Sequence, residues 1–214
     1  MSRYIVCDAP QGSAQWHNDR LGKVTGARCA AIFATVKSGE AATRANLRTT
    51  LVLERLTGKP AEQSFSDTDD IKWGREQEPF SRMAYEIQNG LTVRESGFIY
   101  LPDIEAGCSL DGFIDDGRLG IWESKSPKSK NHYACLLAGE VPSIYMPQVM
   151  HNMWITGAEF CDFTSFDPRM PEKLQFFFVR VERDQKRIDE HEKAVLQFLR
   201  EVAKEENEMQ KLAA

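Results

Sequence analysis

The sequence predicts a single α/β domain in which a mixed β-sheet is flanked by α-helices. Helical and strand-like patterns alternate along its 214 residues, and a chain of this length can bury one sizeable core. Residues 174–181 are almost continuously apolar, which is typical of a buried strand and indicates a central position in the sheet. The sequence contains no glycine-rich nucleotide-binding fingerprint and no GxSxG turn, so these two classes of site have no support.

Apolar residues at helical spacing, together with capping signals, predict the helices. A short helix is expected up to Arg20, where a glycine ends it, and a second helix is entered through Thr25. Further helices are predicted at about residues 40–57, 71–87, 141–156 and from 184 onward. Strands are predicted at residues 92–101, 107–115, 119–125, 161–166 and 174–181, and loops at 62–70 and 128–130. The domain therefore divides into a helical part of about residues 13–90, a sheet core of about 91–183 and a C-terminal helix of about 184–210.

Charge and cysteine usage limit the classes of protein that fit. The net charge of −5 argues against a protein that coats nucleic acid, but it allows an enzyme with a local basic channel. The five cysteines are scattered and none forms a CxxC pair, so neither a zinc knuckle nor a disulfide framework is indicated. We therefore expect a cytoplasmic location. No apolar run approaches the length of a bilayer span, so no membrane association is expected.

A predicted β-hairpin brings together the residues that suggest chemistry. Two short apolar strands are joined by an Asp-Gly turn at residues 115–118, with Asp111 on the first strand and Glu123 and Lys125 on the second. Because side chains alternate along a strand, Glu123 and Lys125 point to one face and Ser124 to the other. The hairpin can bring Asp111 to the same face, so that two carboxylates and one ammonium converge. An unpaired carboxylate on such an apolar strand would be costly, which favours a functional role.

This grouping is typical of a site for a hard divalent cation such as Mg²⁺, which prefers carboxylate and carbonyl oxygens. Asp111 and Glu123 would supply the carboxylates, and the backbone carbonyl of Ser124 a third oxygen. Lys125 would orient an attacking water or help to deprotonate it. The structural alternative is an ordinary hairpin with a surface aspartate and a Glu–Lys pair, because a Glu-x-Lys pattern alone is weak.

Three further residues each have a functional and a structural interpretation. Arg20 can bind a phosphate through its planar guanidinium, or it can pair at the surface with Asp19 or the end of its own helix. Glu78 lies early in its predicted helix, where a glutamate usually acts as a partner of the helix dipole. Gln148 lies among apolar residues and is either a hydrogen-bonding core residue or an active-site group.

Six blocks of the sequence, taken in order, carry a family resemblance. They are Trp16-His17 with Arg20-Leu21-Gly22 and Val24-Thr25; Trp73-Gly74 with Glu78; Ser109-Leu110-Asp111-Gly112; Glu123-Ser124-Lys125-Ser126-Pro127; Tyr145-Met146-Pro147-Gln148-Val149 with Met153-Trp154; and Asp167-Pro168-Arg169-Met170 ahead of Val181-Glu182-Arg183-Asp184. Together they resemble the bacteriophage lambda exonuclease family of the PD-(D/E)xK nuclease superfamily. The resemblance covers most of the chain and implies a restriction-endonuclease-like core within one nuclease domain over residues 1–214.

The resemblance also implies an activity and its partners. Family members are Mg²⁺-dependent exonucleases that degrade one strand of duplex DNA from its 5′ end and leave a 3′ overhang for strand annealing. Mn²⁺ is expected to substitute for Mg²⁺. The implied partners are double-stranded DNA ends, a single-strand annealing recombinase and two further copies of the chain in a ring-shaped homotrimer. An acidic exterior around a basic channel would reconcile DNA binding with the net charge.

By their positions in the matching blocks, several residues take the roles of the family's site residues. The metal ligands are Asp111, Glu123 and the Ser124 carbonyl, the water-orienting residue is Lys125, and the additional active-site residues are Glu78 and Gln148. The substrate-binding residues are Arg20 and Ser109 for the 5′-phosphate, Lys130 as a further basic contact, and Ile71 as an apolar wedge at the terminal base pair.

The chain departs from the family pattern at three places. Ala27 stands where many members have a second phosphate-binding serine, so that contact is expected to be missing or replaced. The basic residue after Glu-x-Lys aligns ambiguously between Lys130 and Lys128. Leu110 replaces the motif proline, which supplies no ligand. Two other functions stay open, namely a sequence- or structure-specific endonuclease on the same fold and a non-catalytic DNA-binding module for recombination.

Overall fold

A computed structural model describes residues 4–61 and 68–213, and it confirms the α/β class with mixed sheets flanked by helices. The strands form two four-stranded sheets. The first contains β1 (Ile5–Val6), β2 (Val24–Thr25), β3 (Ile99–Tyr100) and β4 (Ala106–Cys108) in the order β1-β3-β4-β2. The second contains β5 (Gly112–Asp115), β6 (Leu119–Lys125), β7 (Phe160–Phe166) and β8 (Phe176–Glu182) in chain order.

Each sheet contains one parallel pair among antiparallel ones. In the first sheet the parallel pair is β2 with β4, and in the second it is β6 with β7. The hairpin of β5 and β6 that the sequence predicts is present, with Gly112 opposite Trp122 and Asp115 opposite Leu119. This register brings Asp111, the residue just before β5, level with Glu123 near the end of β6, where the candidate site lies.

Seven α-helices surround the sheets in the described part of the chain. They are α1 (Ala14–Asp19), α2 (Gly26–Cys29), α3 (Ala42–Thr57), α4 (Asp69–Asn89), α5 (Ser129–Ala138), α6 (Met146–Thr156) and α7 (Gln185–Leu212). The side chains of Ser13, Thr68 and Asp184 cap the starts of α1, α4 and α7 by accepting backbone hydrogen bonds. None of the helices in the described ranges has both the length and the apolar character that a bilayer crossing requires.

Helix α6 lies at the centre of the molecule. All residues from Val149 to Thr156 are buried, and the helix packs against α2, α7 and β4. Strand β7 is buried along its whole length, from Phe160 to Phe166. An element that is buried on every side can carry polar groups only where each of them finds a partner, so the polar residues of α6 mark sites of particular interest.

The prediction that residues 174–181 form a central strand is wrong, because β8 lies at one edge of the second sheet. Its continuous apolar run has another cause. Phe177, Val179 and Val181 pack against the main core, whereas Phe176 and Phe178 pack against a second cluster that contains Tyr85 of α4. Both faces of this edge strand are therefore covered by apolar contacts.

Four strand and loop predictions also need correction. The predicted strand 107–115 is split, because the chain leaves the first sheet after Cys108 and enters the second at Gly112. The predicted strand 92–101 is reduced to Ile99–Tyr100 and an isolated bridge between Arg94 and Phe113. Residues 128–130 are not a loop, since Lys128 is the N-cap of α5 and the helix begins at Ser129. Of the predicted loop 62–70, residues 62–67 lie outside the described residues, and residues 69–70 belong to α4.

Candidate active site

The carboxylate of Glu123 is fully buried near the end of β6 and is hydrogen-bonded on both of its oxygens. Gln148 donates from Nε2 to Oε1 at 2.6 Å, and Asn152 donates from Nδ2 to Oε2 at 2.9 Å. The ammonium of Lys125 forms an ion pair with Oε1. Because Gln148 and Asn152 are four residues apart on α6, one face of this helix holds both carboxylate oxygens.

Asp111 joins this group from the other strand of the hairpin. The side chain lies in the bend just before β5, rather than on a strand as predicted, and its Oδ2 accepts a hydrogen bond from the backbone N–H of Ser124 at 2.7 Å. The side chain of Ser124 points to the opposite face, as the alternation of strand residues predicts, and donates to Ser81 of α4 at 2.8 Å. Asp111, Glu123 and Lys125 are therefore brought together at one end of the hairpin.

Glu78 completes a group that we call the carboxylate cluster, defined as Glu78, Asp111, Glu123 and Lys125. Glu78 lies in the middle of α4 and not in its first turn, so the dipole-partner interpretation does not apply. Burial raises the pKa of Glu78 to about 7, with a contribution from the charge of Asp111. The pKa of Glu123 is likewise raised to about 7, mainly by burial, and the pKa of Asp111 is raised by burial as well.

The single ammonium of the carboxylate cluster does not balance the three carboxyl groups. Burial alone would lower the pKa of Lys125, but the charges of Glu123 and Asp111 together raise it above its ordinary value. Lys125 therefore stays charged, while the carboxyl groups still resist ionisation, mainly because they are buried. The charge of Asp111 adds to this effect at Glu78 and Glu123. Oxygen donors with surplus negative charge are what a hard divalent cation requires, so the donor set fits a Mg²⁺ site.

Arg20 and Ser109 form a second contact between predicted site residues. Nη1 of Arg20 donates to Oγ of Ser109 at 2.6 Å, although the two residues are far apart in sequence. The guanidinium also lies over the ring of Trp16, at 3.9 Å from its centroid. Burial and the nearby charge of Arg28 lower the pKa of Arg20 to about 10. Arg20 is thus half-buried and preorganised, and the alternative of a surface pair with Asp19 is not what the structure contains.

Two predicted substrate-binding residues lie apart from this group. Ile71 is in the first turns of α4 with about half of its surface exposed, at 49%. Lys130 is exposed in the first turn of α5, and the alternative residue Lys128 pairs with Asp70 at 3.4 Å. Within residues 4–61 and 68–213, no hydrogen bond or ion pair links either Ile71 or Lys130 to the carboxylate cluster.

Asn152 is the residue near the site that the sequence-based interpretation missed. A signal was present, because Asn152 follows Gln148 by four residues and therefore shares its helix face. A polar amide in an otherwise apolar helix segment needs a partner, and both amides find theirs in the same carboxylate.

A second polar cluster includes one residue of α6. We call it the histidine trio, defined as Cys29, His151 and His191, whose possible ligand atoms all lie within 4.8 Å of one another. The carbonyl of Gly107 can only accept, so Nε2 of His151 donates to it at 3.1 Å and Nδ1 accepts from Nε2 of His191 at 3.1 Å. Burial lowers the pKa of His151 to about 3 and that of His191 to about 4, so both rings are neutral.

The thiol of Cys29 donates to the carbonyl of Gly26 at 3.0 Å. The ring of His191 packs against Phe33, and that of His151 against Trp154. The trio is therefore a neutral, hydrogen-bonded part of the core, and the candidate metal ligands are the oxygens of the carboxylate cluster.

Comparison with known proteins gives results of three kinds. Residues 15–159 match the model of the YqaJ-like viral recombinase domain. The crystal structures of LHK-Exo, an alkaline exonuclease from Laribacter hongkongensis, alone and in complex with dAMP, are 35% identical to this chain. Both alignments cover 94% of this chain and 98% of the LHK-Exo chain, with TM-scores of 0.84 and 0.85. A search of curated protein sequences gave no match.

A third similar structure supports the fold alone. It is a phage-related exonuclease from Haemophilus somnus 129PT, which is 15% identical to this chain, with a TM-score of 0.64. The alignment covers 87% of this chain and 96% of the other. The arrangement of helices and sheets is therefore shared well beyond the range in which the sequences are recognisably alike.

Proposed function

The chain belongs to the YqaJ-like viral recombinase family, a lambda-exonuclease-like group, and is a nuclease; from this premise, we propose that it is a Mg²⁺-dependent 5′-to-3′ exonuclease of linear double-stranded DNA. It degrades one strand and leaves 3′ single-stranded overhangs for recombination by strand annealing. The observation that carries the proposal is the carboxylate cluster, in which buried acidic groups outnumber the one ammonium beside them.

The divalent ion would be held by Asp111, Glu123 and the backbone carbonyl of Ser124. When bound, it supplies Lewis-acid stabilisation of the charge that develops on a scissile phosphate. The protein orients these ligands before the ion arrives, since Glu123 is fixed by Gln148 and Asn152, and Asp111 by the N–H of Ser124. Such preorganisation reduces the rearrangement needed during the reaction.

Lys125 and Glu78 complete the catalytic side of the proposal. The raised pKa of Lys125 keeps a proton on Nζ, so that the ammonium can donate to the attacking water or to a phosphate oxygen and orient it. The carboxyl group of Glu78, with its pKa of about 7, can hold or release a proton near neutral pH. Gln148 acts through Glu123, whose Oε1 it shares with Lys125.

Arg20 and Ser109 are proposed to bind the 5′-phosphate of a DNA end. A guanidinium and a hydroxyl that already contact each other form a donor pair suited to phosphate oxygens. Ile71 is exposed as a wedge would need to be, and Lys130 is proposed as an additional backbone contact. The complex of LHK-Exo with dAMP supports a nucleotide as a ligand of this group of enzymes.

Three parts of the assignment stay predictions. The ring-shaped homotrimer and a single-strand annealing recombinase as partner rest on the family resemblance, and the cytoplasmic location rests on the cysteine usage. Sedimentation of the purified protein measures the first of these directly, and a trimer in solution is the expected result.

The activity is tested by incubating the protein with linear duplex labelled at either end of one strand. We expect release of the 5′ label first, only when Mg²⁺ or Mn²⁺ is present, and loss of all activity in a chelator. Closed circular duplex should stay intact. Cutting of the circle would favour the endonuclease on the same fold, and release of the 3′ label first would contradict the proposed polarity.

A further inference from the structure

Asn152 lies in α6 with its side chain fully buried, and its amide faces the carboxylate of Glu123. A carboxylate oxygen can only accept, so the NH₂ end of the amide must face Oε2, and the amide orientation is fixed by chemistry. The other amide atom, Oδ1 of Asn152, has no hydrogen-bond partner among the described residues although it is buried. Leaving a buried acceptor unpaired is costly, so this arrangement is not one that stability alone would favour.

Gly26 explains how the amide of Asn152 is held in place. Gly26 is the first residue of α2, and its backbone approaches α6 so closely that a side chain has no room. A Cβ at this position would fall well inside van der Waals distance of Oδ1 of Asn152, 3.3 Å from its Cγ and 3.4 Å from Cγ of Gln148. The same glycine therefore backs both amides that hold Glu123.

The contacts form a continuous path from α2 through α6 to the metal ligand. Gly26 limits where Asn152 and Gln148 can lie, and these two amides determine the rotation of the Glu123 carboxylate, one oxygen each. Neutral donors suit this role, because they fix a carboxylate without cancelling the charge that a cation needs.

We propose that Asn152 is a positioning residue for Glu123 and that the absence of a side chain at Gly26 is what allows it to act. The inference rests on the proposed metal-dependent nuclease activity and adds residues to it. Outer partners of metal ligands typically change metal affinity or activity about 10–100-fold when they are removed. Asn152→Ala should thus lower kcat about 10–100-fold while KM for linear duplex ends stays within a factor of about 2 of the wild-type value.

A direct binding measurement accompanies the kinetics. Titration with Mn²⁺ alone, followed by electron paramagnetic resonance of the free ion, should show an affinity about 10-fold or more weaker in Asn152→Ala. The matched control is Thr156→Val, which removes a buried hydroxyl one turn further along α6 that bonds the backbone of Asn152 but not Glu123. This control should lose stability and keep both its kcat and its Mn²⁺ affinity.

Gly26→Ala tests the same path from the other side. It should reproduce the loss of kcat and of Mn²⁺ affinity, whereas Gly74→Ala, at a helical glycine with open space around its Cβ position, should change neither. Because Gly26→Ala acts through the Asn152 side chain, it should add little in an Asn152→Ala background. A double-mutant cycle measures this non-additivity.

The outcomes separate this inference from the proposed function. If the wild-type protein neither cleaves DNA with a divalent metal nor binds Mn²⁺, the proposed function fails. If the wild type does both, and Asn152→Ala matches Thr156→Val in rate and Mn²⁺ affinity, the positioning role is overturned. Where Asn152→Ala does not fold, kcat and Mn²⁺ affinity are measured in Asn152→Ser and Gly26→Ala instead. Additive effects of the Asn152 and Gly26 substitutions would contradict the proposal that Gly26 acts through Asn152.

Discussion

Helix α6 contacts two polar clusters that differ in their charge. The histidine trio is neutral, and His151 bonds both His191 and a backbone carbonyl. The carboxylate cluster holds three carboxyl groups beside one ammonium, and the pKa values of Glu78 and Glu123 are raised to about 7. The same helix supplies His151 to the first cluster, and Gln148, which donates to Glu123 of the second.

The comparison shows that charged clusters with unbalanced charge, rather than neutral hydrogen-bonded ones, indicate a ligand-binding site. A neutral, hydrogen-bonded cluster contributes to stability without a ligand. A cluster with surplus charge is held together at the expense of stability, and it becomes favourable only when a cation arrives. Residues in the two clusters should therefore respond in opposite ways to substitution, with effects on rate at one and on stability at the other.

The largest expected effect is the loss of turnover in Lys125→Ala. Lys125 is the group proposed to orient the attacking water, so its removal should lower kcat by on the order of 10²–10⁴-fold. DNA ends should still bind, because the proposed phosphate contacts Arg20 and Ser109 are untouched. Digestion of end-labelled duplex and fluorescence anisotropy with the same duplex measure the two quantities. Lys193→Ala, at an exposed position of α7, is the control and should behave as wild type. Near-normal cleavage by Lys125→Ala would remove the lysine from the mechanism.

A smaller effect, and on stability rather than rate, is expected for His191→Phe. The substitution keeps a ring beside Phe33 but leaves Nδ1 of His151 without a donor, which should reduce the free energy of unfolding by about 1–3 kcal/mol. Denaturant titration at 25 °C measures it, with the exposed Glu190→Gln as the control. The specific activity of the folded variant should be unchanged. A large loss of kcat in a fully folded His191→Phe would contradict the claim that the histidine trio affects stability and not rate.

The next prediction concerns the donor pair beside the carboxylate cluster. Arg20→Ala should reduce the preference for 5′-phosphorylated over 5′-hydroxyl ends by about 10–100-fold, since a charge-assisted hydrogen bond contributes about 1.5–3 kcal/mol. The measurement is the ratio of initial rates on the two substrates. Arg200→Ala, on the exposed side of α7, serves as the control. An unchanged ratio would contradict the proposed phosphate-binding role and leave Arg20, like the histidine trio, with a role in stability alone.

The last prediction is a pH dependence of stability in a chelator. The folded-state pKa values of Glu78 and Glu123, about 7, lie above the ordinary value of 4.5. Between these pH values the folded protein holds protons that the unfolded chain has released, so stability should fall as pH rises from about 4.5 to 7. Asp111→Asn removes one of the repelling charges and should flatten this slope. Denaturant midpoints at several pH values measure this slope in the wild type and in Asp111→Asn. A stability that rises from about pH 4.5 to 7 would contradict the raised pKa values of Glu78 and Glu123.

The candidate site could be predicted from the sequence to a large extent, because its central residues are local. Glu123 and Lys125 lie two residues apart on one strand, and the Asp-Gly turn brings Asp111 back to them. The helices were predicted where glycine stops them, as at Gly58 and Gly90, which both adopt left-handed backbone conformations. Such features depend on neighbours in sequence and not on the final packing.

Other features depend on contacts between distant parts of the chain and could not be predicted. Helix α5 was missed because its pattern is reversed, with Leu137 exposed while His132 is buried and bonded to Ser165. The division into two sheets depends on which strands pair, and no local pattern encodes that choice. For Asn152, the spacing from Gln148 predicts the shared helix face, but its contacts depend on the approach of Gly26 and Glu123 to α6.

The short crossing between the two sheets has a consequence for how the enzyme would advance along DNA. Ser109, which contacts Arg20, and Asp111, which lies beside Glu123, are separated by Leu110 alone, so their Cα atoms can be no more than about 7 Å apart. In the proposed function, the residue that contacts the 5′-phosphate and a ligand of the metal thus lie on the same short segment of backbone. A residue inserted beside Leu110 is therefore expected to change the length of the released product.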